Sequence, residues 1–132
     1  MAEVSFPSAT EEQINEGKSL AWLSYIWWLC IIPIVTQKEN PFSMYHARQG
    51  LMLAIAETVI GAAGVILGVI IFWITVWFSG PVCTWIWGGL VGLVMFALAI
   101  LALIGLIQAL SGKFWKMPIL AGLAEKWFKG MV

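Results

Sequence analysis

From Leu51 to Phe78 the chain runs for 28 residues with a single charged side chain, Glu57. As a helix rising 1.5 Å per residue this stretch is about 42 Å long, more than the roughly 30 Å of a bilayer's hydrocarbon core. A soluble fold would need polar residues elsewhere to enclose it. The composition does not supply them: 61% of the 132 residues are hydrophobic, 11% are charged, and mean hydropathy is +0.93. These values lie outside the range of ordinary soluble domains and predict an integral membrane protein.

The polar exceptions in this helix fall on one side. At the helical period, His46, Gly50, Leu53, Glu57, Gly61, Gly64 and Gly68 lie within roughly 80° of one another. Glycines allow close backbone approach, and a carboxyl faces lipid at a cost of about 2.5–3.5 kcal/mol near mid-bilayer. The shared face is therefore expected to pack against another helix. A second apolar run, 84–110, carries Gly88 and Gly92 at the same four-residue spacing, with Gln108 its one strongly polar side chain. Ser79-Gly80-Pro81 breaks the chain between the two runs, so they form an antiparallel hairpin in which Glu57 and Gln108 can hydrogen-bond. Trp73, Trp77, Trp85 and Trp87 belong to an interfacial aromatic belt.

Ahead of these lies a shorter apolar run, 20–36. Its 16 residues from Leu20 to Val35 reach only about 24 Å as a helix, so as a span it must borrow flanking residues or thin the bilayer. Pro33 near its end predicts a kink or an early exit. Residues 1–19 form an acidic tail or surface helix, with Thr10 and Gln13 spaced for a capping box. They lack the basic start and cleavage site of a signal peptide and are expected to be retained. Asn40-Pro41 is a helix-start pair, and 41–49 is an amphipathic entry segment leading into the span 50–78. At the other end, 111–132 predicts an interfacial amphipathic segment. In it Ile119, Leu120, Leu123 and Trp127 line one side and Lys126 and Lys129 reach the other.

The expected fold is thus all-α: three transmembrane helices (20–36, 50–78 and 84–110) plus an interfacial amphipathic C-terminal helix. Three crossings leave Lys18 on one side and Lys38, Arg48, Lys113, Lys116, Lys126 and Lys129 on the other. The positive-inside rule then places the C-terminus in the cytoplasm and the N-terminus outside. Cys30 and Cys83 fall at different depths in this topology, too far apart for a disulfide.

Five stretches carry a family resemblance: Leu23-Ser24-Tyr25, Cys30-Ile31-Ile32-Pro33, Tyr45-His46-Ala47-Arg48-Gln49-Gly50-Leu51, Glu57, and Gly112-Lys113-Phe114-Trp115-Lys116-Met117-Pro118. Together they resemble a bacterial family of small multi-span membrane proteins. That family is grouped with the membrane component of the chloroplast protein-import translocon and includes magnetosome-membrane proteins. The resemblance spans about Leu20 to Lys129. It implies a small helical membrane protein without known enzymatic activity, located in the bacterial inner membrane or an intracellular membrane derived from it. The chloroplast relatives are expected to cross four times, against three crossings read here.

Several side chains carry competing readings. Glu57 is either a proton or cation relay or a protonated, paired carboxyl that locks helices together. His46 can ligate a tetrapyrrole or metal or hydrogen-bond a neighbouring loop. Tyr45, His46, Arg48 and Gln49, with Lys113, Trp115 and Lys116, read as a surface for anionic lipid or a partner. Gly50, Glu57, Gly61, Gly64, Gly68, Gly88, Gly92 and Gln108 read as packing or relay positions inside the membrane. No aspartate occurs, and no metalloprotease, serine-hydrolase or phosphate-loop signature, so no catalytic residue, cofactor, metal or nucleic-acid partner is expected. The leading function is a structural or assembly component of a membrane complex, through self-association or with another membrane protein. The alternative is a subunit of an oligomeric translocation or transport pathway lined by Glu57 and Gln108.

Overall fold

The computed structural model describes residues 8–118 and 120–127, and among these it contains helices and turns but no strand. Two of the helices are long and apolar enough to cross a membrane: α3, Pro41–Ser79, and α4, Val82–Leu110. The remaining helices are short: α1, Glu11–Ala21; α2, Ile31–Thr36; and α5, Leu120–Trp127. Compact packing divides the chain into two units. One combines the described parts of Met1–Ala54 and Leu101–Val132; the other is Ile55–Ile100.

Local chemistry accounts for the helix ends. The Gln13 amide donates to Thr10 Oγ1 at 3.2 Å and the Thr10 amide to Gln13 Oε1 at 3.0 Å, making the capping box at the start of α1. Asn40 caps α3 by accepting from the amides of Phe42 and Ser43, each at 3.1 Å. At the end of α4, Gly112 takes the left-handed conformation (φ 72°). Its amide bonds the Ala109 carbonyl and that of Lys113 bonds the Gln108 carbonyl, a Schellman ending. The chain from 113 to 117 then has no regular secondary structure.

The first apolar run departs from the expected span. Instead of one helix over 20–36, α1 stops at Ala21, two single 3₁₀ turns follow at Trp22–Tyr25 and Trp27–Cys30, and only α2 is helical beyond them. The break is at Ile26 (φ −105°, ψ 79°) and Trp27, a non-glycine residue at φ 44°, a conformation that costs of order 1 kcal/mol or more. The cause lies in packing. The break lets the backbone at Ser24 press against α3 at Gly50, where an added Cβ would overlap the Ser24 carbonyl oxygen. It also seats the Tyr25 ring on α4 at Gly105, where a Cβ would overlap the ring. A straight helix could offer neither contact.

Within the second unit, the parts of α3 and α4 on either side of the Gly80 turn (φ 61°) pack as a pair. The Trp87 indole N–H donates to the Gly64 carbonyl at 2.8 Å. Gly64 faces Val91, and Gly68 faces the Trp87 ring. The outward surface is bare hydrocarbon: Val65, Ile66, Trp73, Ile74, Trp77, Phe78, Trp85 and Leu93 are all exposed. In water such a surface would be severely unfavourable, whereas in a bilayer it meets its own kind.

Ile119 and Lys129, and the side chains of Leu123 and Trp127, lie outside the described residues. The described part of α5 has eight residues, too few to cross. Lys116 Nζ approaches Glu125 Oε2 at 3.8 Å, a half-exposed pair worth little.

Candidate functional site

The Tyr45–Gly50 stretch of α3 lies inside the first unit. His46 is 0% exposed, Gln49 3% and Tyr45 6%. Burial on this scale requires partners for the polar atoms, and for His46 and Gln49 they come from elsewhere in the chain. His46 Nε2 bonds the Lys113 carbonyl at 2.9 Å, and Nδ1 bonds the Tyr25 hydroxyl at 2.6 Å.

Those partners assign the imidazole's proton. A carbonyl oxygen can only accept, so Nε2 carries the hydrogen. Burial, with Tyr45 nearby as the smaller cause, pushes the Tyr25 hydroxyl well above its ordinary value, so it stays protonated and donates to Nδ1. The neutral tautomer satisfies both bonds. An imidazolium would turn Nδ1 into a donor and leave the phenol hydrogen to find another acceptor.

Gln49, one turn further along α3, uses both ends of its amide. Its Nε2 donates to the Trp115 carbonyl at 2.9 Å, and its Oε1 accepts the Met117 amide at 2.7 Å. His46 and Gln49 thus bind the main chain at 113, 115 and 117. Two side chains three residues apart on one helical face therefore hold the post-span segment by its backbone. Aromatic rings close around the imidazole: Phe42 stands edge-on at 4.8 Å, Tyr45 edge-on at 5.4 Å, and Phe114 lies parallel at 6.4 Å.

This geometry changes the reading of several residues. Tyr45, His46 and Gln49 face inward, not toward a lipid or partner surface, and His46 and Gln49 spend their polar atoms on the 113–117 backbone. Arg48 is half-exposed, Lys113 and Lys116 are exposed, and Trp115 is half-buried; these remain available at the surface. With both ring nitrogens engaged, His46 has no lone pair free for a metal or tetrapyrrole. Among the described residues no group of three or more His, Cys or Glu side chains could hold a metal ion. Cys30 is buried and Cys83 half-buried, both as free thiols.

The intramembrane positions separate similarly. Gly50, Gly64 and Gly68 have close neighbours, whereas Gly61, Gly88 and Gly92 have open space where a Cβ would sit. Glu57 is half-exposed on α3 and Gln108 half-exposed on α4. Gly105 belongs to the site without having been singled out by motif or spacing. Gly105 is an isolated glycine in an apolar helix, the one signal that a ring or backbone lies close by.

A polytopic helical membrane protein, with a buried histidine–glutamine clasp that fastens its post-span segment, is the class these features define. The family model described as the magnetosome magnetite crystal formation protein family (MamF/MmsF) matches residues 16–123, and the chain belongs to that family. It is similar to the magnetosome protein MmsF of Paramagnetospirillum magneticum, 30% identical over 108 residues that cover 81% of this chain and 84% of that one. No solved structure matches. Within the broader resemblance read from the motifs, these findings support the magnetosome branch.

Proposed function

We propose that the chain is a non-enzymatic component of the magnetosome membrane, a compartment derived from the inner membrane, and that it influences magnetite crystal formation by organising that membrane and assembling within it. Family membership over residues 16–123 supports the process. The observation that carries the mechanism is the clasp, because the family-signature side chains His46 and Gln49 are consumed in holding the chain's own backbone. What remains outward is basic: Arg48, Lys113 and Lys116, suited to anionic headgroups or an acidic partner at the cytoplasmic face. Glu57 stays half-exposed on an otherwise apolar helix surface. A carboxyl there is costly against lipid, which favours association through that face with a second copy or another membrane protein.

The test is expression in a magnetotactic bacterium lacking its MmsF relative, with crystal diameter measured by electron microscopy and the tagged protein located by fluorescence. Recovery of the crystal phenotype is expected. Protein that reaches the magnetosome membrane while crystals keep the deletion phenotype would overturn the proposal. The half-exposed Glu57 also suits a second reading, a transport path lined by Glu57 and Gln108 in an oligomer. Proteoliposomes that stay impermeable to protons and small cations would remove that reading.

A further inference from the structure

We infer that residues 22–36 enter the bilayer and return to the same side, as a wedge in one leaflet, so that α1 and the C-terminal segment face the same compartment. The two ends of the wedge are tied together. Gln37 Nε2 donates to the Glu16 carbonyl at 3.0 Å, and Asn40 Nδ2 to the Gln13 carbonyl at 2.8 Å. A segment that had crossed would place those partners about 30 Å apart.

A second contact ties α1 to the far end of α4. A Cβ at Gly112 would lie 3.0 Å from Ile14 Cγ2 and 3.6 Å from Lys18 Cδ, so α1 rests on the turn that leads into the clasp. The helix that starts the described chain and the segment that follows α4 therefore share one membrane face.

Between its tied ends the wedge presents hydrocarbon. Ile26, Leu29, Ile31, Ile32 and Val35 are exposed, Val35 at 70%, while Tyr25, Cys30 and Pro33 turn inward. Its occupant is the acyl region of a single leaflet. Non-helical backbone is tolerated at that depth only where protein covers it, and the Ser24 carbonyl, pressed onto Gly50, meets that condition.

Charge agrees with the geometry. With α3 and α4 as the two crossings, Lys18, Lys38, Arg48, Lys113, Lys116 and Lys126 all lie on one side, and the turn joining the crossings, Ser79-Gly80-Pro81, carries no charge. A third crossing would leave Lys18 translocated. The positive-inside rule makes the shared side cytoplasmic, and Glu11, Glu12 and Glu16 go with it.

Combined with the proposed function, on which this last step rests, the topology has a consequence for the mineral. The lumenal face of the magnetosome membrane would receive only the uncharged hairpin turn from the described residues. Apart from Glu57 inside the span, the described carboxylates then lie on the cytoplasmic side, away from the crystal, which points to an influence passing through the membrane.

The test labels single cysteines with a membrane-impermeant maleimide in right-side-out and inverted vesicles. In a Cys83→Ser background, Glu11→Cys, Ser111→Cys and Ser79→Cys each add one exposed thiol; the background protein reports any labelling of buried Cys30. Glu11→Cys and Ser111→Cys are expected to label in inverted vesicles only, and Ser79→Cys in right-side-out vesicles only. Labelling of Glu11→Cys and Ser111→Cys from opposite sides would overturn the wedge. Labelling of both from outside would overturn the cytoplasmic placement of the carboxylates. These readouts are independent of crystal size, so the topology and the proposed function can fail separately.

Discussion

Replacing Gln49 with alanine removes both bonds that its amide makes to the 113–117 segment. The Met117 amide loses its acceptor in a buried setting and the Trp115 carbonyl its donor in a half-buried one. Leaving a buried backbone group unsatisfied costs about 1–3 kcal/mol, and a part-buried one about 1 kcal/mol. The two together weaken docking of 113–117 by about 2–4 kcal/mol, which at 1.36 kcal/mol per decade is a rise of about 30- to 900-fold in the detached population. Detachment exposes the backbone after Lys113 and Lys116, whose side chains already reach solvent. Trypsin therefore reads it directly when opening is fast relative to cleavage. In nanodiscs, cleavage at these two lysines should accelerate by that factor in Gln49→Ala, while Arg48→Ala, which leaves the clasp intact, stays near wild type. Gln49→Glu should fall between, keeping an acceptor for Met117 but opposing the Trp115 carbonyl. Cleavage of Gln49→Ala within twofold of wild type would refute the clasp as the element holding this segment.

Tyr25→Phe leaves His46 Nδ1 without its donor in a fully buried site and should destabilise the first unit by about 1–3 kcal/mol, measured as a lowered thermal midpoint in detergent. Gly50→Ala forces a Cβ onto the Ser24 carbonyl and should cost more than about 3 kcal/mol, since the oxygen and carbon it would strike are backbone atoms that cannot swing aside. Gly88→Ala, where space is open, should leave the thermal midpoint within about 1 °C of wild type or raise it slightly through helix propensity. Trp87→Phe removes the indole bond to Gly64 and should weaken the α3–α4 pair in the second unit by about 0.6 kcal/mol, the average for interhelical hydrogen bonds in membranes, and by no more than about 1.7 kcal/mol, read as a change in steric-trapping affinity.

What the sequence shows and what it hides divide along a physical line. Helix α3, helix α4 and the turn between them follow from hydropathy, length and Gly80-Pro81, all local properties. The Asn40 cap and the Thr10–Gln13 box are equally local and are made as the residue types suggest. The first apolar run is where local reasoning stops working. Hydropathy counts apolar residues but cannot see that Gly50 and Gly105, far along the chain, leave room for the Ser24 carbonyl and the Tyr25 ring. Once that room exists, breaking the helix at Ile26–Trp27 gains a buried hydrogen bond to His46 and the packing of an aromatic ring, and a continuous span would forfeit both. The same reason hides the clasp. A histidine and a glutamine beside an arginine read as a polar surface, because their partners at 113, 115 and 117 are main-chain atoms, which every residue has and no residue type announces. The spacing of His46 and Gln49 on one helical face was visible throughout. What pairs it with a stretch 66 to 68 residues away is Gly112, which ends α4 in the left-handed conformation that turns the chain back onto α3.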